Sequence, residues 1–103
     1  MNIVGVSACT VGIAHTYMAQ KALVDAAVAA GDSIKMETQG TIGIENALSA
    51  EDIAQADIVI LAVDVKIAGE ERFEGKKTVK VPTEMAIKSP KKLIAKLHEL
   101  AGK

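Results

Sequence analysis

The chain has 103 residues, with 12 Lys plus Arg against 13 Asp plus Glu and a formal net charge of −1, which is material for one compact domain over residues 1–103 and not for a second core. Apolar residues make up 50% and charged residues 24%, a globular rather than a disordered balance, and near-neutral charge with aromatics at 2% removes the footprint of a nucleic-acid binder. A lone cysteine, Cys9, excludes an intramolecular disulfide and points to a reducing compartment, the cytoplasm.

Residues 1 to 20 carry no Lys, Arg, Asp or Glu, yet Gly5, Ser7, Thr10, Gly12, His15 and Thr16 interrupt them too often for a membrane span. No basic residue precedes Lys21 to begin a signal peptide, so the chain is read as starting at Met1. Ile3, Val4 and Val6 form a short apolar run that predicts a buried first strand. The period then changes, and the alanine-rich segment from about Ile13 to Ala30, closed by Gly31, predicts a helix. Ser33 to Glu37 alternates as a half-buried second strand does, and Thr38 to Asn46, with Gly40 and Gly43, reads as a loop.

Ser49-Ala50-Glu51-Asp52 has the chemistry of a helix start, a hydroxyl cap followed by two early carboxylates. Ile58 to Val63 is a continuous apolar run, the mark of a third strand covered on both faces. Thr78 to Val81 reads as a shorter edge strand ended by Pro82. In the last helix Ser89 can cap, Pro90 suits the first position, and Leu93, Ile94, Leu97, Leu100 and Ala101 recur at helical spacing, with His98 expected on the solvent face. Strands joined by helical crossovers predict an α/β fold, a three-layer sandwich around a four-stranded parallel sheet of order 2-1-3-4. Such sheets bind ligands beyond the carboxyl ends of the strands, and the turn after Val6 is therefore where chemistry is expected.

That turn is Cys9-Thr10-Val11-Gly12-Ile13-Ala14-His15-Thr16, a strand-to-helix junction whose unpaired backbone amides around Val11 to Ala14 can cradle an anion. The same amides and the helix dipole lower the cost of a thiolate at Cys9. Gly12 permits close approach of the backbone to a phosphate, and Thr10, His15 and Thr16 can add side-chain hydrogen bonds. A small core cysteine and a surface histidine are the structural alternatives for Cys9 and His15.

The string from Cys9 to Ala19, together with Glu37-Thr38-Gln39-Gly40-Thr41-Ile42-Gly43-Ile44-Glu45-Asn46, closely resembles the fructose-type enzyme IIB domains of the bacterial phosphoenolpyruvate-dependent sugar phosphotransferase system. The resemblance extends through Leu48 to Ile53, Ala56 to Ile60, Glu71-Arg72-Phe73 and Gly75-Lys76, nearly the whole chain. It implies that Cys9 takes a phosphoryl group from a phosphohistidine of an enzyme IIA partner and passes it to a fructose-like sugar held by the membrane transporter enzyme IIC. It also implies a phosphate loop of Thr10, Val11, Gly12, Ile13, Ala14, His15 and Thr16, and a monomer that meets the inner face of the membrane only through IIC. The family usually reads Cys-Pro-Thr-Gly-Ile-Ala-His-Thr, so Thr10 and Val11 replace a proline and a threonine. No cofactor is implied, and Cys9 with His15 falls short of a zinc site.

Low-molecular-weight tyrosine phosphatases also place a cysteine after their first strand, but their loop ends in arginine where this chain has His15, which disfavours hydrolysis. A regulatory module switched by phosphorylation of Cys9 is the non-enzymatic alternative. Glu37, Thr38, Gln39, Gly43 and Asn46 are read either as a structural turn or as contacts to IIA or IIC, and Val11, Ile13 and Tyr17 either as an apolar docking rim or as core.

Overall fold

The computed structural model describes residues 1–9, 13–40 and 43–102, with the side chain of residue 13 outside that description. Five strands form one sheet: β1 (Asn2–Ala8), β2 (Ser33–Gly40), β3 (Gly43–Glu45), β4 (Ile58–Val63) and β5 (Thr78–Val81), in the order β3-β2-β1-β4-β5. The helices are α1 (Ile13–Ala29), α2 (Ala50–Gln55), α3 (Thr83–Lys88) and α4 (Pro90–Ala101), with a 3₁₀ turn at Glu70–Phe73.

This corrects the expected four-stranded parallel sheet, because the sheet is five-stranded and mixed. β1 pairs parallel with β2 and β4, and β4 pairs parallel with β5, but β3 folds back antiparallel on β2 with Gly40 opposite Gly43. The expected loop from Thr38 to Asn46 is thus a strand end and a returning strand. Ile44 at 52% exposure and its exposed or half-buried neighbours lack the alternation that a half-buried strand writes into a sequence.

Hydrophobic material lies on both sheet faces, giving the three layers. On one side Ile3, Ile58 and Ile60 pack with Ala19 and Leu23 of α1, Ala86 of α3 and Leu93, Ile94 and Leu97 of α4. On the other, Val4, Val6, Val59 and Leu61 pack with Ile53 of α2 and Phe73. Gly5 sits at the centre of β1, where a Cβ would meet Met36 Sδ at 2.5 Å and Ile60 O at 2.6 Å; the missing side chain is what lets its neighbours close over the strand.

Helix starts follow local chemistry. Ser49 caps α2 as expected: its hydroxyl accepts from the Asp52 N–H at 3.0 Å, while the Asp52 carboxylate accepts from the Ser49 N–H at 3.1 Å. Ser89 occupies the cap position of α4 with Pro90 first in the helix, but its side chain makes no capping hydrogen bond, against expectation. The six-residue α3 was not expected, since so short a segment shows no repeat of helical period. Among the described residues no helix is long and apolar enough to cross a membrane.

Candidate functional site

β1 and β4 end side by side, with Ala8 opposite Val63, and the Asp64 N–H extends the ladder by donating to Ala8 O at 2.9 Å. α1 leaves β1 toward one face, whereas α2 precedes β4 on the other, so the crevice beyond these two strands is where the connections diverge. Three adjacent strands deliver side chains there. Cys9 follows β1, Asp64 follows β4, and Thr83 follows β5 after Pro82, while the first turn of α1 adds His15.

Cys9 is half-buried, and its thiol donates to Asp64 Oδ2 at 3.0 Å. His15 Nδ1 lies 3.7 Å from the sulfur and 3.5 Å from Thr83 Oγ1. The fully buried Thr83 grips the same carboxylate twice, its hydroxyl donating to Oδ2 at 2.5 Å and its N–H to Oδ1 at 3.0 Å. Hydrogen bonds from Cys9 and Thr83 outweigh burial and hold the Asp64 carboxyl below the usual range. The sulfur is therefore neither sealed in the interior nor bare. The thiol shares its proton with Asp64, and the His15 ring nitrogen stands 3.7 Å from the sulfur.

Of the sequence-predicted loop, Thr10, Val11 and Gly12 lie outside the described residues, as does the side chain of Ile13. Ala14 is exposed, His15 is half-buried against Cys9 and Thr83, and Thr16 is 1% exposed. The Thr16 carbonyl accepts from Ser7 Oγ at 2.8 Å, and among the described residues nothing hydrogen-bonds its hydroxyl. Tyr17 is half-buried and its hydroxyl donates to the Glu45 carboxylate, tying α1 to β3.

Asp64 and Thr83 were missed by sequence reasoning. Asp64 had a signal: it is the first polar residue after the continuous apolar strand, at the carboxyl end where such sheets place ligands. Thr83 had none, being one polar residue after a proline.

Two residues of the second sequence motif, Glu37 and Gln39, are tied into the fold. Glu37 is 0% exposed and receives Arg72 Nη1 on Oε1 at 2.8 Å and Nη2 on Oε2 at 3.0 Å, with further donation from Gln39 and the Leu48 N–H. Burial pushes the Glu37 carboxyl up, but these hydrogen bonds and the guanidinium charge outweigh it and leave it below its ordinary value. Gln39 clamps the Ala68 backbone, donating to its carbonyl at 2.9 Å and accepting from its N–H at 2.8 Å. Arg72 is the chain's sole arginine, so the guanidinium of a phosphatase-type loop is committed to Glu37 instead of to Cys9.

Residues 4–96 match the family described as the lactose/cellobiose-specific IIB subunit of the PTS system. The chain is 52% identical over 97 residues to the PTS system fructose-like EIIB component 2 of Escherichia coli (strain K12), covering 94% of this chain and 92% of that protein. Among solved structures, a domain of the fructose-specific IIABC component of the PTS system from Borrelia burgdorferi is similar at TM-score 0.89 and 52% identity, covering 94% of this chain and 92% of that one. The enzyme IIB subunit of a PTS system from Escherichia coli K12 is similar at TM-score 0.92 and 42% identity, with 98% and 94% covered. With the family matched over most of the chain and the fold shared with solved members, this chain belongs to the enzyme IIB family of the sugar phosphotransferase system.

Proposed function

We propose that this protein is a phosphoryl carrier in sugar uptake, with Cys9 as the residue that carries the group. What supports this reading is the convergence on one half-buried sulfur of three strand ends and the first turn of α1, in a chain of the enzyme IIB family. In the first transfer the Cys9 thiol loses its proton, an S–P bond forms as the N–P bond of a phosphohistidine on enzyme IIA breaks, and the released imidazole regains a proton. In the second a sugar hydroxyl attacks phosphorus and gives up its proton, the S–P bond breaks, and the departing sulfur takes up a proton to restore the thiol.

Catalysis on this reading is alignment and charge stabilisation. The loop of Thr10, Val11, Gly12, Ile13, Ala14, His15 and Thr16 is the proposed phosphate-binding segment, of which His15 stands 3.7 Å from the sulfur that also touches the Asp64 carboxylate. That carboxylate, fixed by Thr83, repels a phosphoryl dianion that strays toward it and so keeps the group transferable. IIA and a membrane-embedded IIC with a fructose-like sugar are the partners, met by a cytoplasmic monomer comprising one domain over residues 1–103.

The test is a reconstituted relay. Incubated with phosphoenolpyruvate, enzyme I, phosphocarrier protein and a cognate IIA, the protein acquires a label that is lost on adding IIC and fructose. A label that never forms overturns the carrier reading, and one that persists after complete IIC and sugar are supplied favours a regulatory module instead.

A further inference from the structure

The two donors that fall short of a metal site in the sequence gain a third in the fold. Cys9 Sγ, His15 Nδ1 and an Asp64 carboxylate oxygen, from the end of β1, the start of α1 and the end of β4, all lie within 4.8 Å of one another. Zinc bonds of about 2.0–2.3 Å to sulfur, nitrogen and oxygen set tetrahedral edges of roughly 3.3–3.7 Å between ligand atoms. The sulfur to His15 distance of 3.7 Å already has that length, and the sulfur to Asp64 distance of 3.0 Å is short because a proton now holds the two atoms together. Replacing that proton with an ion requires the two to part by a few tenths of an ångström and the His15 nitrogen and Asp64 oxygen, within 4.8 Å of one another, to close to such an edge.

The rest of the arrangement suits an ion. Asp64 is exposed, so solvent reaches its carboxylate, and a set of three protein donors takes water as its fourth ligand. Both Asp64 oxygens are already oriented by Thr83, whose N–H and hydroxyl hold Oδ1 and Oδ2. Thiolate, imidazole and carboxylate together select zinc-class ions over magnesium or calcium, which need more oxygen ligands.

We propose that Cys9, His15 and Asp64 bind one Zn²⁺-class divalent ion, and that the ion and the phosphoryl group compete for the Cys9 sulfur. Binding converts the thiol to a metal thiolate, with one S–H bond broken, one S–metal bond formed, a water displaced from the hydrated ion and a proton released to solvent. Competition rests on the carrier reading, whereas binding does not.

The reduced, metal-stripped protein is titrated with Co²⁺ in the absence of oxygen. The expected result is a thiolate-to-cobalt charge-transfer band with the intense visible bands of four-coordinate Co²⁺, saturating at one equivalent, lost on adding Zn²⁺ and retained with excess Mg²⁺. Cys9→Ser abolishes the charge-transfer band, and His15→Gln and Asp64→Asn, both side chains reaching solvent, each weaken binding at least about tenfold. Absence of the band, or binding that both of the latter variants leave unchanged, overturns the site. In a second arm phosphorylated IIA is added: Zn²⁺ blocks labelling of the protein and a chelator restores it. Cobalt binding without labelling of the metal-free protein refutes the carrier reading alone, labelling without cobalt binding refutes the metal site alone, and labelling unaffected by saturating Zn²⁺ refutes the competition.

Discussion

Replacing Arg72 with Met leaves the Glu37 carboxylate in place with its principal countercharge gone. Glu37 is fully buried and Arg72 is 28% exposed, so the variant keeps a desolvated anion whose remaining donors are Gln39 and the Leu48 N–H. Breaking a buried pair by removing one partner costs about 3–5 kcal/mol, and the partial exposure of Arg72 places this case near the lower end, about 3 kcal/mol. With a urea slope of about 1.5 kcal/mol per molar, the midpoint of chemical unfolding falls by about 2 M. The pH dependence carries a sign of its own. In the native pair the Glu37 carboxyl is held low, so its contribution is fully present above the unfolded value near 4.3 and is lost as pH falls through the folded value. In Arg72→Met burial acts without the guanidinium and raises the carboxyl, so protonation relieves the variant and the gap to the native protein narrows in acid. Adding Glu37→Gln to Arg72→Met removes the unpaired charge and recovers a large part of the loss. A midpoint shift below about 0.5 M at neutral pH, the range of an exposed pair, or no recovery in the double variant, refutes the reasoning.

Other perturbations probe separate links. Gly5→Ala places a Cβ 2.6 Å from a backbone oxygen that cannot rotate away, and a loss of about 1–3 kcal/mol is expected in thermal or urea unfolding; an unchanged midpoint contradicts the close approach. The Asp52 carboxyl, hydrogen-bonded by Lys35 and by the Ser49 N–H and hydroxyl, titrates at about 2 in an NMR pH series, so the cap survives to more acid pH than a free aspartate allows. A midpoint at the usual aspartate value denies the capping geometry. Thr83→Val keeps the N–H to Asp64 but removes a hydroxyl donor to a charged acceptor, a bond of about 1.5–3 kcal/mol, and is expected to slow labelling of the protein by phosphorylated IIA about tenfold or more while leaving the fold intact by circular dichroism.

The strands and long helices were legible because burial imposes patterns. Ile58 to Val63 is apolar without a break and is buried along its whole length, and Leu93, Ile94 and Leu97 are buried as their spacing required. β3 and α3 were not, since three and six residues are too few to show a period and their formation depends on the neighbours they pack against. His98 was misread for a simpler reason: it lies one turn beyond Ile94, on the inward-facing side, where Nε2 reaches the buried Asp32 at 2.6 Å. The candidate site was half legible. Cys9 and His15 belong to one local stretch, whereas Asp64 and Thr83 join them only because β4 and β5 end beside β1, a juxtaposition that sheet order creates and local sequence does not write.

Peptide mapping by mass spectrometry after incubation with phosphorylated IIA tests the account most directly. The account predicts one phosphoryl group on the peptide containing Cys9, attached at the sulfur and absent from Cys9→Ser. A phosphoryl group on His15, or a Cys9→Ser protein labelled as well as the native one, contradicts it.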